Sequence, residues 1–220
     1  MRHLKGLHDD TDDPGGELDN WTTPSWAVTV IVPHLLTRRC GGLWTLIDPG
    51  AGTGCVGLAA IACGVKPAAV LAVDVHAGRA AKCRQAYAGK VDAPVDVAVD
   101  DWTNTSMVER VSKWVDRMGY PPLIIGNPPY TRPRPTIGLE FVEQSIAVAG
   151  RHGVVAMLLP LDFAGGVDRY DRVHALHKCS CYPLRRRPVF GRSGNSSSGQ
   201  RPVAWFVWDA ERSRGEFRVL

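Results

Sequence analysis

The chain has 220 residues, 45% of them hydrophobic and 22% charged, which is enough apolar material for one full core and fits a single globular domain. No run reaches the ~18 consecutive apolar residues of a membrane helix; Pro24 to Leu36 is broken by Ser25, Thr29, Pro33 and His34. Six cysteines are too sparse for a disulfide-stapled secreted scaffold, and no signal-peptide pattern opens the chain, so a cytoplasmic protein with no membrane partner is expected.

The net charge is only +4, but it is unevenly spread. Asp9, Asp10, Asp12, Asp13, Glu17 and Asp19 make the start acidic, and residues 1–20 lack apolar periodicity, so they read as a disordered lead-in to a domain spanning 21–220. Beyond Lys178, eight arginines face only Asp209, Glu211 and Glu216, a bias that suits a polyanionic partner.

The ordered pattern starts near Trp21. Thr23-Pro24 reads as an N-cap followed by proline at the first helical position, opening a helix through Trp26, Val30 and Ile31 that Pro33 interrupts. A regular alternation follows. Leu43 to Ile47 is a short apolar strand ended by Asp48-Pro49-Gly50, and Cys55 to Cys63 is an Ala-rich helix closed by Gly64. Val70 to Val73 is a strand ending at Asp74, and Ala80, Cys83 and Tyr87 have helical spacing. Val95 to Val99 is a strand ending at Asp100-Asp101, before a helix striped by Met107, Val108, Val111, Trp114, Val115 and Met118. Leu123 to Ile125 ends at Gly126-Asn127; a helix carries Phe141, Val142, Ile146 and Ala149; and Val154 to Leu159 stops at Pro160. Finally Arg187 to Phe190 and Val203 to Trp208 flank a Gly/Ser loop over 191–200 and read as an antiparallel hairpin. His174, His177, Cys179 and Cys181 match no standard zinc spacing and read as a helix end and turn, so no metal site is expected.

The polar residues that end the first four strands, Asp48, Asp74, Asp101 and Asn127, are 26, 27 and 26 positions apart. One strand plus one crossover helix has that length. Right-handed crossovers make such strands parallel, so all four residues should emerge on the carboxyl edge of one sheet, where such folds bind ligands. Gly50, Gly52 and Gly54 follow the first strand and open a helix, leaving room for a ligand against the backbone, and Asp74 at the next strand end can accept from ribose hydroxyls. A nucleoside-bearing cofactor is indicated, without the Gly-Lys-Ser/Thr of a phosphate-gripping loop.

Asp48-Pro49-Gly50-Ala51-Gly52-Thr53-Gly54, the acid at Asp74 and Asn127-Pro128-Pro129-Tyr130 together resemble the amino-methylating S-adenosylmethionine-dependent methyltransferases over roughly residues 21 to 208. The resemblance implies an α/β, Rossmann-like class I methyltransferase fold, a mostly parallel seven-stranded sheet with a C-terminal antiparallel hairpin. It implies S-adenosylmethionine as cofactor, with the glycine loop under its amino-acid part, Asp74-Val75 at the ribose, Asp101 (or Asp100) at the adenine amine, Trp102 beside the ring, and Thr22-Thr23-Pro24 covering the methionine end.

An exocyclic amine has a delocalised lone pair and is a poor nucleophile. The Asn127 side-chain oxygen and the Pro128 carbonyl can each accept one of its hydrogens and aim the pair, Pro128 and Pro129 stiffen the turn, and Tyr130 offers a stacking face. By this resemblance the chain is expected to methylate adenine N6 in nucleic acid, DNA rather than RNA, on a flipped-out or single-stranded base. Arg132, Arg134, Arg187 and Arg192 are expected to rim the site for phosphates, with Phe190 against the base. The alternatives are an RNA adenine N6 methyltransferase, a protein-glutamine N5 methyltransferase and a catalytically silent nucleic-acid-binding relative.

Overall fold

The computed structural model describes residues 22–37, 42–131, 133–188, 201–211 and 215–220. The expected acidic lead-in over 1–20, Trp21, Arg132, Phe190, Arg192 and the Gly/Ser loop lie outside the described residues.

Two short helices, α1 (Ser25–Thr29) and α2 (Val32–Leu36), lead into β1 (Trp44–Pro49), α3 (Cys55–Ala62), β2 (Pro67–Asp74), α4 (Ala77–Tyr87), β3 (Val95–Val99), α5 (Thr105–Met118), β4 (Pro122–Gly126), α6 (Ile137–Ala149) and β5 (Val154–Pro160). A 3-10 turn over Leu161–Ala164, α7 (Val167–Arg169) and a π-turn over Tyr170–His174 then lead to β6 (Cys179–Pro183) and β7 (Val203–Asp209). The seven strands form one sheet in the order β3-β2-β1-β4-β5-β7-β6. The first five are parallel, and β7 is antiparallel to both β5 and β6.

Side chains alternate across the strands, as their twofold period requires. Leu46, Val70, Leu123 and Trp205 pack into a cluster with α1 to α4, while Ile47, Leu71, Ile124 and Phe206 pack into a second with α5, α6 and the segment after β5. With both faces covered, β1, β4, β5 and β7 are buried along their whole length. The strand ends at Pro49, Asp74, Val99 and Gly126 therefore share one edge, as the phase of the polar residues requires.

Three local expectations are corrected. Pro24, not Thr23, is the N-cap of α1, and a proline ring has no acceptor to close the cap; the Thr23 hydroxyl accepts from Asn127 instead. Pro33 does not stop the helical segment; it sits in the first turn of α2, where its missing N–H costs nothing. The strand paired with β7 is Cys179–Pro183, in the stretch read as a helix end and turn; of the strand expected over Arg187 to Phe190, Arg187 and Pro188 are not in a strand, and Val189 and Phe190 lie outside the described residues. Cys179, Ser180 and Cys181 are not β-branched, and what recruits them is tertiary: β6 pairs with β7 on one side, and on the other Cys181 N–H donates to Glu216 and Arg218 N–H to Cys181.

Candidate active site

The loop from Gly50 to Gly54 turns the chain from β1 into α3. Its main chain is tied down by Ala51 N–H donating to Val73 at 2.9 Å and Gly54 N–H donating to Ala51 at 2.8 Å. Gly54 has φ +82°, and a Cβ there would meet Tyr87 Cε2 at 2.8 Å and Cys83 Sγ at 3.0 Å, so both conformation and packing against α4 require glycine. Above Gly52 a Cβ would meet nothing within 4 Å; that is the open face of the loop.

Asp74, 5% exposed, closes one side of this face. Its Oδ2 accepts from Gly52 N–H at 2.8 Å, and its Oδ1 accepts from His76 N–H at 2.8 Å and Arg79 Nε at 3.0 Å. A carboxylate offers about four lone-pair positions, so three bonds leave one for a ligand hydroxyl. Arg79 was not singled out in the sequence; its signal was a basic residue in the first turn of a small-residue helix, five positions after the acid. Val75 follows Asp74 at 53% exposure, and Val99 ends the neighbouring strand at 49%, an apolar rim beside the acid.

At the β3 outlet, Asp100 accepts from Arg110, whereas exposed Asp101 accepts from the N–H and hydroxyl of Thr103 through Oδ1. Trp102 does not present its ring to the open edge as expected. It is 2% exposed, and its indole N–H donates to Ser145 Oγ at 3.1 Å between α5 and α6.

Asp48 is 0% exposed and lies beneath the loop rather than on its open face. Oδ2 accepts from Gly57 N–H at 3.0 Å, and neither Oδ1 nor the Tyr87 hydroxyl has a hydrogen-bond partner among the described residues. Burial, which outweighs the Gly57 bond and is reinforced by the charge of Asp74, pushes the Asp48 carboxyl up from 3.8 to about 7. Burial likewise raises Cys55, Cys83 and Tyr87, so Asp48 is the member of this cluster that titrates near neutrality.

Asn127 leaves β4 directly beside the glycine loop. Gly126 permits this, since a Cβ there would lie 3.0 Å from the Pro49 carbonyl oxygen. Asn127 Nδ2 donates to Thr23 Oγ1 at 2.9 Å, and the Tyr130 hydroxyl donates to Asn127 Oδ1 at 2.7 Å. Thr23 is buried and Thr22 and Pro24 are half-buried, and the Thr23 bond ties the front segment to the turn that begins at Asn127.

The expected arginines separate. Arg134 is held by Glu140 and donates to Thr103 Oγ1 at 3.0 Å, so its guanidinium braces the turn after Tyr130 against the β3 outlet. Arg185, Arg186 and Arg187 are exposed just beyond β6, which runs parallel to β5 and so opens on the same edge as Asn127. Arg186 lies over the Trp26 ring at 5.6 Å.

No protein-family model matches the sequence, and no curated protein matches it. Solved structures do match its fold. A Pyrococcus horikoshii protein assigned as an RNA methyltransferase superposes with TM-score 0.64 at 15% identity, over 92% of each chain. The methyltransferase subunit of a type I restriction-modification system from Streptococcus thermophilus gives 0.66 at 14% identity, over 95% of this chain and 48% of that one, so the chain spans about half that subunit's length. Magnesium protoporphyrin IX methyltransferase from Synechocystis, solved with bound S-adenosylmethionine, gives 0.53 at 12% identity, over 84% and 79%. The fold is that of the Rossmann-like methyltransferases, an α/β sheet of seven strands closed by an antiparallel pair.

Proposed function

We propose that the chain is an S-adenosylmethionine-dependent methyltransferase that modifies the exocyclic N6 amine of adenine in nucleic acid, DNA in preference to RNA. The observation that carries this reading is the Asn127 carboxamide, hydrogen-bonded at both ends at the outlet of β4 beside the open face of the glycine loop. The residues fit the cofactor: space stands over Gly52, Asp74 keeps one acceptor position for a ribose hydroxyl, and Val75 and Asp101 are exposed on adjacent outlets for an adenine. When bound, S-adenosylmethionine supplies an electrophilic methyl group.

The chain's own task is to present the amine. A carbonyl oxygen has two lone pairs, so Asn127 Oδ1 can accept from the amine while keeping the Tyr130 bond. The Pro128 carbonyl accepts the second hydrogen, and the nitrogen pair is thereby aimed without a strong base. Exposed Arg185 and Arg187 on the same edge suit phosphates of the flanking strand. The restriction-modification neighbour supports a nucleic-acid substrate, and the RNA methyltransferase neighbour makes RNA the second arm of the test.

Purified protein incubated with radiolabelled S-adenosylmethionine and separate DNA, RNA and protein pools should yield N6-methyladenine in DNA. Asn127→Ala should lower turnover on the order of 10²- to 10³-fold with cofactor affinity unchanged. N6-methyladenine confined to RNA would reassign the polymer, and methylglutamine in the protein pool would reassign the substrate class. A fully active Asn127→Ala would remove the assigned role.

A further inference from the structure

Asn127 acts in this chemistry through Oδ1, yet the two ends of a carboxamide are nearly equal in size. Half a turn about χ2 replaces the acceptor with a donor, and a donor facing an amine repels it. A hydroxyl can serve either end, so a single contact does not choose between them; what a contact from outside the turn does fix is the place and plane of the group. Thr23 is 3% exposed and stands 104 positions before Asn127, and its Oγ1 accepts from Nδ2 at 2.9 Å. The threonine is itself immobilised. The next residue, Pro24, accepts at its carbonyl from Ala27 N–H at 2.9 Å, and Ala27 O in turn accepts from the indole of Trp205 on β7 at 2.6 Å. The Tyr130 hydroxyl holds the opposite end, but Tyr130 belongs to the same turn as Asn127 and moves with it. Thr23 is the reference point outside the turn.

We infer that Thr23 is a positioning residue that anchors the Asn127 carboxamide from outside its own turn and holds the plane in which it meets the target amine, coupling the front segment to the methyl-accepting site rather than simply covering the cofactor. The inference rests on the reading of Asn127 as the amine acceptor. A positioning role and a cofactor contact predict different losses. Thr23→Val keeps the side-chain shape and removes the acceptor, leaving the half-buried Nδ2 unpaired. Misorienting the group that aims the nucleophile lowers turnover and leaves the cofactor's surroundings intact.

The test measures three quantities on the full chain. The first is kcat for methyl transfer to adenine-containing single-stranded oligonucleotide at saturating S-adenosylmethionine. The second is the calorimetric Kd for S-adenosylmethionine. The third is the Asn127 side-chain NH2 resonance pair, assigned by its absence in Asn127→Ala and needing neither cofactor nor substrate. Thr23→Val should lower kcat on the order of 10²-fold, and Thr23→Ser should recover most of it. Kd should be unchanged in both, and the NH2 pair should shift or broaden in Thr23→Val alone. If the valine variant fails to unfold cooperatively, Thr23→Ala takes its place with the same expectations. Unchanged kcat, an unmoved NH2 pair, or a loss appearing wholly as weaker S-adenosylmethionine binding overturns the assignment while the function stands, provided Asn127→Ala is inactive. A fully active Asn127→Ala overturns both.

Discussion

The glycine loop and the Asn127–Tyr130 turn sit side by side at the outlets of β1 and β4, yet different groups hold them. The loop is fixed by main-chain bonds through Ala51, Gly52 and Gly54, over a buried floor made of Asp48, Cys83 and Tyr87. Pro128 and Pro129 have no N–H to give, and side-chain bonds from Thr23 and Tyr130 hold the Asn127 carboxamide. Changes to the loop or its floor should therefore register in stability. Damage to the turn should register as lost turnover in a chain that still folds.

Asp48→Asn tests the floor most severely. With the folded carboxyl near 7 against 3.8, both folded and unfolded chains hold the proton below about pH 4. As pH rises toward 7, the unfolded chain releases a proton that the folded chain keeps, so the folded state loses roughly 4 kcal/mol across that window and little more above it. Asparagine should abolish this loss. Its advantage over the parent in urea unfolding should be several kcal/mol larger at pH 8 than at pH 4, and equal differences at the two pH values would show that Asp48 does not titrate there. Gly57→Ala comes next. Its Cβ would fall 2.0 Å from the Tyr87 hydroxyl and 3.3 Å from Asp48 Oδ2, an overpacking that should cost about 2 to 3 kcal/mol. An unshifted denaturation midpoint would mean the floor is looser than its geometry.

The smallest effect is expected from the turn. Tyr130→Phe keeps the ring and removes the hydroxyl donor to Asn127 Oδ1. Stability should change by less than about 1 kcal/mol while turnover falls about tenfold. A variant that unfolds early, or one with full turnover, would erase the distinction between the two loops.

The same distinction decides what was legible in the sequence. Strands β1 to β5 and β7, and the phase of Asp48, Asp74, Asp101 and Asn127, follow from apolar runs and spacing, because a doubly covered parallel sheet leaves a periodic signature. Side-chain partnerships left none. Thr23 read as a helix cap, Arg134 as a free phosphate ligand and Trp102 as an adenine neighbour, and each was placed by a contact made through the tertiary fold. Cys179–Pro183 looked like a turn for the same reason: its own residues favour no strand, and its two flanking partners make it one.

Those flanking partners have a consequence for solubility. The outer side of β6 is covered by residues 216–220, with Leu220 N–H donating to Pro183 at 2.9 Å and Arg185 N–H to Leu220 at 2.6 Å. At the opposite margin, β3 carries exposed Asp96 as its second residue. One margin of the sheet is thus guarded by a charge and the other by a strap of backbone. A chain trimmed before Glu216 would keep its outlets and its chemistry but bare a row of unpaired amides and carbonyls, turning a self-contained sheet into a template on which further copies could stack.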